Sequence, residues 1–294
     1  MTNRLDVVVT GATGKQGGAL VRELLAGGHS VRAITRKPDS LAATALAKRG
    51  VQIVPADFDD RASLERAARG ADTLYAMSTS FEAGEKAEVR QGINLARAAA
   101  SAGVRHLVYS SVANADRATG IPHFESKYEV ETEIRRLGVP FTIVAPVFFM
   151  ENFLADWLSQ GIARGAVAMA VPVTRRLQQI AVADIARFTA LVIDRRDEFL
   201  NRRIDIASDE LTGLTTGAVL SKVSGRRIGY AALPVDSVRE WNSGLARMFE
   251  WFDRVGYDAD IIGLRTRYPE VGWHRFSEWA GEHDWPASPA SLAA

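Results

Sequence analysis

The 294-residue chain contains no cysteine, which excludes disulfides, thiolate catalysis and every zinc site built on cysteine. Histidine is scarce: five residues (His29, His106, His123, His274 and His283), none paired at a metal-ligand spacing, so no metal is expected. No apolar run is long enough to cross a bilayer, and the start lacks the charged-then-apolar pattern of a secretory signal. A cytoplasmic location and no membrane partner are therefore expected. Neither sign of charge dominates; the formal net charge is +1 with no long single-sign run, so charge gives no reason to expect nucleic acid. A Pro/Gly/Ser linker and an internal repeat of solenoid period are missing too. What remains is 47% hydrophobic, enough to bury a large core.

Within that plain background one stretch carries chemistry. Leu5–Val9 is a short β-branched run that ends in Thr10-Gly11-Ala12-Thr13-Gly14-Lys15-Gln16-Gly17-Gly18 and opens into an apolar-periodic helix (Ala19, Leu20, Val21, Leu24, Leu25). The helix stops at Gly27-Gly28, where a C-cap with positive φ suits glycine. Strand, glycine turn and helix N-terminus together form a cradle for a pyrophosphate, because backbone N–H groups and the helix dipole both face the anion. Gly11 permits the tight turn, Gly14 lets the backbone approach the phosphates, and Gly17 with Gly18 brings helix close to strand. The alternative is a glycine turn with no ligand; the strand–helix context argues against it.

The second strand, His29–Thr35, runs into Arg36-Lys37-Pro38. An NAD site would carry Asp or Glu about 20 residues past the glycines, bonded to the ribose 2′-hydroxyl. Thr35 and Arg36 stand there instead. A guanidinium fork complements a 2′-phosphate that a carboxylate would repel, so NADP(H) is expected over NAD(H). The competing account is an ordinary exposed basic turn.

Strands and helices then alternate. Helices are expected near Ser40–Lys48, Ala62–Arg69, Ala83–Ala102 and Phe124–Leu137, and strands at Val51–Val54, Asp72–Met77, Val104–Ser110 and Phe141–Ala145. Six strands joined by helices imply an α/β fold with a doubly wound parallel sheet. Ligands of such sheets sit beyond the strands' carboxyl ends, which singles out Thr10, Arg36, Asp57, Met77, Ser78, Thr79, Ser80, Ser110, Ser111, Pro146, Phe148 and Phe149. Asp57 and Phe58 fall where an adenine edge would lie, while Asp59 and Asp60 are expected to begin the next helix. Past residue 150 the alternation lapses and all six tryptophans appear. Residues 1–150 are therefore read as the dinucleotide-binding domain and 151–285 as a smaller, mixed, discontinuous substrate-side region. Short strands are expected in Arg164–Val173 and Leu177–Val182, then a helix from Val182 to about Ile193 helped by Asp184 at its start. Residues 286–294 are expected to be a frayed tail. Asn94 reads as a buried structural amide, and Asn152 with Glu131 as a possible polar link.

Taken together, Gly11–Gly17, the Arg36 turn, Ala56-Asp57-Phe58-Asp59-Asp60, Val108-Tyr109-Ser110-Ser111, Ser126-Lys127 with Glu131, Pro146–Phe153 and Val182–Ala186 resemble the NmrA-like branch of the atypical short-chain dehydrogenases/reductases, over about residues 5–195. The resemblance implies a Rossmann fold with NADP(H) on the glycine turn, held by Gly11, Ala12, Thr13, Gly14, Lys15, Gln16, Gly17, Arg36, Lys37 and the strand-end residues named above. That family holds working reductases, of the isoflavone- and quinone-reductase kind, and redox sensors that bind the cofactor without known turnover.

In typical short-chain dehydrogenases a Tyr-x-x-x-Lys pair works with a strand serine: the tyrosine moves the proton, and the lysine holds the ribose and lowers the tyrosine pKa. Here Lys127 is present, and Ser110 or Ser111 supplies the hydroxyl, but His123 stands where the tyrosine belongs. Tyr128 is about 100° away around the helix and cannot substitute. Three readings stay open: Lys127 holds ribose and polarises or protonates substrate; His123 donates the proton from the same helix face; or both are structural. The expected function is an NADPH-dependent oxidoreductase reducing a small conjugated or aromatic carbonyl such as a quinone, with Lys127, His123 and Ser111 as catalytic candidates and Phe148/Phe149 as a wall. The alternative is a redox sensor with a protein partner. Sequence leaves the oligomeric state open.

Overall fold

A computed structural model describes residues 4–285; the expected tail at 286–294 lies outside the described residues. In chain order the elements are β1 (Asp6–Val9), α1 (Lys15–Ala26), β2 (Ser30–Thr35), α2 (Leu41–Ala47), β3 (Gln52–Pro55), α3 (Arg61–Ala68), β4 (Thr73–Ala76), α4 (Ser80–Ala83), α5 (Glu85–Ala102), β5 (His106–Ser110), α6 (Pro122–Leu137) and β6 (Phe141–Pro146). They continue with β7 (Phe148–Phe149), α7 (Asp156–Ala163), β8 (Ala166–Met169), β9 (Arg176–Ile180), α8 (Val182–Asp194), α9 (Arg196–Phe199), β10 (Arg202–Ile206), β11 (Asp209–Thr212), α10 (Gly213–Ser224), β12 (Gly229–Ala232), α11 (Val235–Arg239), α12 (Ser243–Arg254), α13 (Ile261–Arg267) and α14 (Phe276–Gly281). The described residues form two compact units: one holds residues 4–118, 122–145 and 185–205, the other the remaining described residues.

The first unit is built on a seven-stranded sheet in the order β3-β2-β1-β4-β5-β6-β10. Val7, Val8 and Val9 on β1 are all fully buried, as a central parallel strand covered on both faces requires. β1 pairs in parallel with β2 (Val7 with Val31) on one side and β4 (Val8 with Leu74) on the other. The chain therefore reverses its direction of winding at β1, and the crevice beyond the ends of β1 and β4 is the switch point where doubly wound sheets bind ligands. One buried cluster on the sheet joins Val8, Leu74, Leu107 and Ile143 to Leu95 of α5 and Val130 of α6. Each such side chain contributes roughly 1.5–3 kcal/mol by leaving water.

Local devices set most boundaries. Ser40 caps α2 and Asp60 caps α3, each accepting an N–H three residues on. Asp59 does not join that cap; it binds Arg90 and Gln91. The helix expected from residue 83 to 102 is interrupted: Gly84 takes φ +81 and separates α4 from α5. The seventh strand, β10, escaped the sequence reading. Its alternating Arg202-Arg203-Ile204-Asp205-Ile206 carries charge where a buried strand is usually apolar, and it lies beside β6, with Asn201 N–H donating to Phe141 O.

In the second unit β11, β9 and β7 form one small sheet and β12 with β8 another. Glu151 receives the Val182 N–H at the start of α8 and the Trp279 indole N–H, and burial raises its pKa. Asp184 lies in the first turn of α8, as expected; its carboxylate takes the His274 backbone N–H and lies 2.5 Å from His274 Nδ1.

Candidate functional site

The glycine turn is shaped by backbone contact. Gly11 sits at φ +61, and a Cβ there would lie 2.5 Å from Met77 Cε. A Cβ on Gly17 would stand 2.4 Å from Gly11 O and 2.8 Å from Thr10 O, so α1 meets the end of β1 at a distance only glycine permits. The Gly14 N–H closes the turn onto Gly11 O at 2.9 Å. Gly14 offers no capping side chain and the first turn of α1 has no acidic residue, so its leading N–H groups remain for an anion. Thr10 ties the turn to the sheet by accepting the Met77 N–H at 2.8 Å.

Beyond the strand ends opens a cavity of about 150 Å³ whose walls include Gly11, Thr13, Arg36, Asp57, Phe58 and Met77. Ser78 and Thr79 also line it, together with Glu82 and Gln91, which the sequence reading did not select. Arg36 points to Glu82, Nη2 to Oε2 at 2.9 Å, with both groups more than half exposed. No acidic residue ends β2; the Thr35 hydroxyl accepts the Lys37 N–H. A dinucleotide fits these residues in chemistry: bare glycine backbone suits a pyrophosphate and a guanidinium suits a 2′-phosphate. Asn94 is half-buried and donates to Phe58 O, holding that wall in place. Ala12 is buried and Lys15 exposed in the turn. The Gln16 amide points inward and donates to Ser110 Oγ at 2.7 Å.

Lys127 is the best-anchored cation of the site. Its Nζ donates to Ser78 O at 2.5 Å and Ser110 O at 3.4 Å, the exits of β4 and β5, and lies 2.9 Å from Glu88 Oε1. Glu88 is 1% exposed, and its other oxygen accepts the Ser126 hydroxyl at 2.5 Å. Sequence reasoning missed Glu88. A signal existed: with Gly92, Leu95 and Ala99 it falls on the buried stripe of α5, where a carboxylate needs a partner. The same cation lies 5.5 Å from the centre of the Tyr109 ring. Burial, and next the Glu88 charge, push the Tyr109 phenol far above its ordinary value, so it stays protonated.

His123 occupies the first turn of α6, one turn before Lys127. Its ring contacts Phe124 edge-on at 5.0 Å and Phe81 at 6.4 Å. Burial lowers its pKa against the opposing pull of Glu88 and Glu85, leaving the imidazole neutral near pH 7. Ser111 goes elsewhere. Its hydroxyl donates to the fully buried Glu131, which also takes Arg203 Nε at 3.1 Å. Arg203 in turn binds Asp205 and donates to Val112 O, so Ser111 belongs to a buried ionic cluster beside β10, and the buried link of Glu131 runs there.

In the second unit Pro146 ends β6, and Phe148 and Phe149 form β7. Phe148 is 6% exposed and packs edge-on against Phe153 and Trp157, a core contact. Phe149 is half-buried. Among the described residues no cluster of acidic or histidine side chains fits a metal ion, and no helix is long and apolar enough to cross a membrane.

Comparison with known proteins adds to this geometry. The NmrA-like family model matches residues 3–280. The (4-alkanoyl-5-oxo-2,5-dihydrofuran-3-yl)methyl phosphate reductase of Streptomyces griseus is 31% identical over 290 residues, covering 94% of this chain and 97% of the relative. Quinone oxidoreductase 2 of Escherichia coli is 30% identical over 233 residues, 77% of each chain. The chain spans about half the length of some other curated relatives, oxidoreductases with NmrA-like domains. In fold it is similar to the Citrobacter sp. triphenylmethane reductase crystallised with NADP(H), with a TM-score of 0.80 at 21% identity over 94% of this chain and 99% of that one.

Proposed function

The chain belongs to the NmrA-like family, and from that premise we propose that it is an NADP(H)-dependent reductase of a small conjugated or aromatic carbonyl compound, such as a quinone. The observation that carries the cofactor is the cavity at the β1/β4 switch point, with bare glycine backbone at one end and Arg36 at the other. Relatives named as a quinone oxidoreductase and as the reductase of an unsaturated lactone support the acceptor class. NADPH bound there supplies a hydride from its nicotinamide ring.

The chain's own residues supply position and charge. Gly11–Gly17 and the start of α1 take the pyrophosphate, and Arg36 with Lys37 takes the 2′-phosphate. Lys127 is fixed at the exits of β4 and β5 and brings a positive charge to the ribose and to oxygen charge developing on the acceptor. The Ser110 O contact, at 3.4 Å, is the weakest of its bonds and the one to yield when Nζ turns to a new acceptor. Burial keeps His123 neutral, so near pH 7 its ring offers an acceptor an N–H hydrogen bond rather than a transferable proton. Ser111, bonded to Glu131, acts by holding the end of β5.

The sensor reading draws on one observation: Lys127 is already engaged by Glu88 and two carbonyls, as a purely structural lysine would be. NADPH titration followed by NADPH oxidation across a panel of quinones and enones separates the two. Micromolar binding with turnover of any conjugated acceptor is the expected result. Tight binding with no turnover across the panel would move the assignment to the sensor.

A further inference from the structure

We propose that Glu82 sets how strongly the site prefers a 2′-phosphorylated dinucleotide, by competing with the phosphate for the Arg36 guanidinium. The inference rests on the dinucleotide reading above and concerns a residue outside the glycine turn. Glu82 and Arg36 line the same cavity and meet at 2.9 Å, although 46 residues separate them in the chain. Two local devices bring Glu82 there. The Thr79 hydroxyl accepts the Phe81 N–H at the start of α4, and Gly84 at φ +81 ends that helix after one turn.

The carboxylates of the loop after β3 are otherwise engaged. Asp57 Oδ1 accepts the Asp59 N–H, and Asp59 binds Arg90 and Gln91. Glu82 is the carboxylate that occupies Arg36 itself. Its pair is exposed on both sides, 58% for the arginine side chain and 67% for the glutamate, so solvent weakens it and a ligand can displace it. An incoming 2′-phosphate needs the same fork of donors and carries like charge to Glu82, so it binds against the cost of separating the pair. A ribose 2′-hydroxyl makes no such demand and leaves the pair intact. Glu82 therefore lowers affinity for NADP(H) while leaving NAD(H) untouched, a carboxylate reaching from α4 to temper the selectivity that Arg36 creates at β2.

The test is fluorescence titration of NADPH and of NADH into the full chain, unaltered and as Glu82→Gln. Glu85→Gln serves as the control, since it makes the same charge change three residues on, where Glu85 lines a different surface groove with Lys86, Val89 and Pro122. The expected result is NADPH affinity tightened about two- to five-fold in Glu82→Gln, the range set by losing one exposed ion pair, with NADH unchanged and Glu85→Gln like the parent. An unchanged NADPH/NADH ratio in Glu82→Gln, or an equal gain in Glu85→Gln, overturns the inference and leaves the dinucleotide reading standing. Failure of the unaltered chain to bind either nucleotide overturns both.

Discussion

At the scale of single residues, the buried Glu88–Lys127 pair makes the sharpest demand. With Glu88 1% exposed, removing its cation leaves a carboxylate in the protein interior whose remaining side-chain hydrogen bond, among the described residues, comes from the Ser126 hydroxyl. Lys127→Met is expected to cost about 3 kcal/mol of stability, read as a lowered denaturation midpoint, since breaking a buried pair from one side is expensive. Glu88→Leu added to Lys127→Met should recover part of the loss, because two apolar groups leave no unpaired charge. A double variant no more stable than Lys127→Met would show that the pair is not what holds these helices. A second residue-level prediction concerns pH. Thr142 donates its hydroxyl to Phe199 O and so accepts from His106 Nε2, leaving buried His106 Nδ1 with no partner among the described residues and the ring neutral. Burial, aided by the Arg196 charge, lowers this imidazole from 6.5 to about 4. The unfolded chain takes the proton first, so this group's contribution falls as pH drops from about 6.5 toward 4. Asp205 opposes it: burial raises its carboxyl from 3.8 to about 6 against the pull of Arg203, so the folded chain takes that proton first and gains stability as pH falls from about 6 toward 4. Asp205→Asn removes the compensating slope. Denaturation midpoints between pH 6.5 and 4 are expected to fall more steeply in the variant, and parallel profiles would contradict the assignment. None of these partners was legible in the sequence. The glycine turn was, because its conformation depends on a dozen adjacent residues. The environment of Lys127 depends on which side chain α5 brings across, and that is decided by packing between segments distant in the chain.

At the scale of elements, Gly92 explains how that crossing comes about. A Cβ there would lie 2.6 and 2.9 Å from the two methyl groups of Val130 and 3.0 Å from Ser78 Oγ, so α5 and α6 come close where glycine faces valine. Glu88 stands one turn before Gly92 and Lys127 one turn before Val130, which places the ion pair beside this contact. Gly92→Ala is expected to destabilise by about 1–3 kcal/mol, the usual cost of overpacking, although alanine is the better helix former. Val130→Ala in the same chain should restore part of it; a neutral or stabilising Gly92→Ala would mean the helices can part freely. The sequence showed α5 and α6 as helices but not this contact, since one glycine in a helix reads equally as a tolerated defect. The expected helix began at Ala83 and ran through Gly84, whose positive φ only the backbone reveals. β10 was missed for the opposite reason: Arg203 and Asp205 are paired charges in a sheet strand, and the further partners of Arg203, Glu131 and Asp116, lie more than 70 residues away in sequence.

At the scale of the whole molecule, alternation of strand and helix made the doubly wound sheet legible, and the NmrA-like family match over residues 3–280 agrees with it. The second unit was legible in part: β8 and β9 fall on the segments Arg164–Val173 and Leu177–Val182 where short strands were expected, and the rest showed only as a change of texture. Its sheets are short, its strands come from scattered segments, and aromatic contacts such as Phe276 on Trp279 at 5.6 Å do much of the packing. The central claim is that the cavity at the switch point holds a dinucleotide whose 2′-phosphate is read by Arg36. Its most direct test is the ratio of NADPH to NADH dissociation constants, measured for the unaltered chain and for Arg36→Ala. Charge-assisted bonds from a guanidinium to phosphate contribute about 1.5–3 kcal/mol, so a preference for NADPH of roughly ten- to a hundred-fold is predicted, collapsing toward unity in Arg36→Ala while NADH binding holds. Equal affinity for the two nucleotides in the unaltered chain, or a preference that survives the loss of Arg36, would contradict the account.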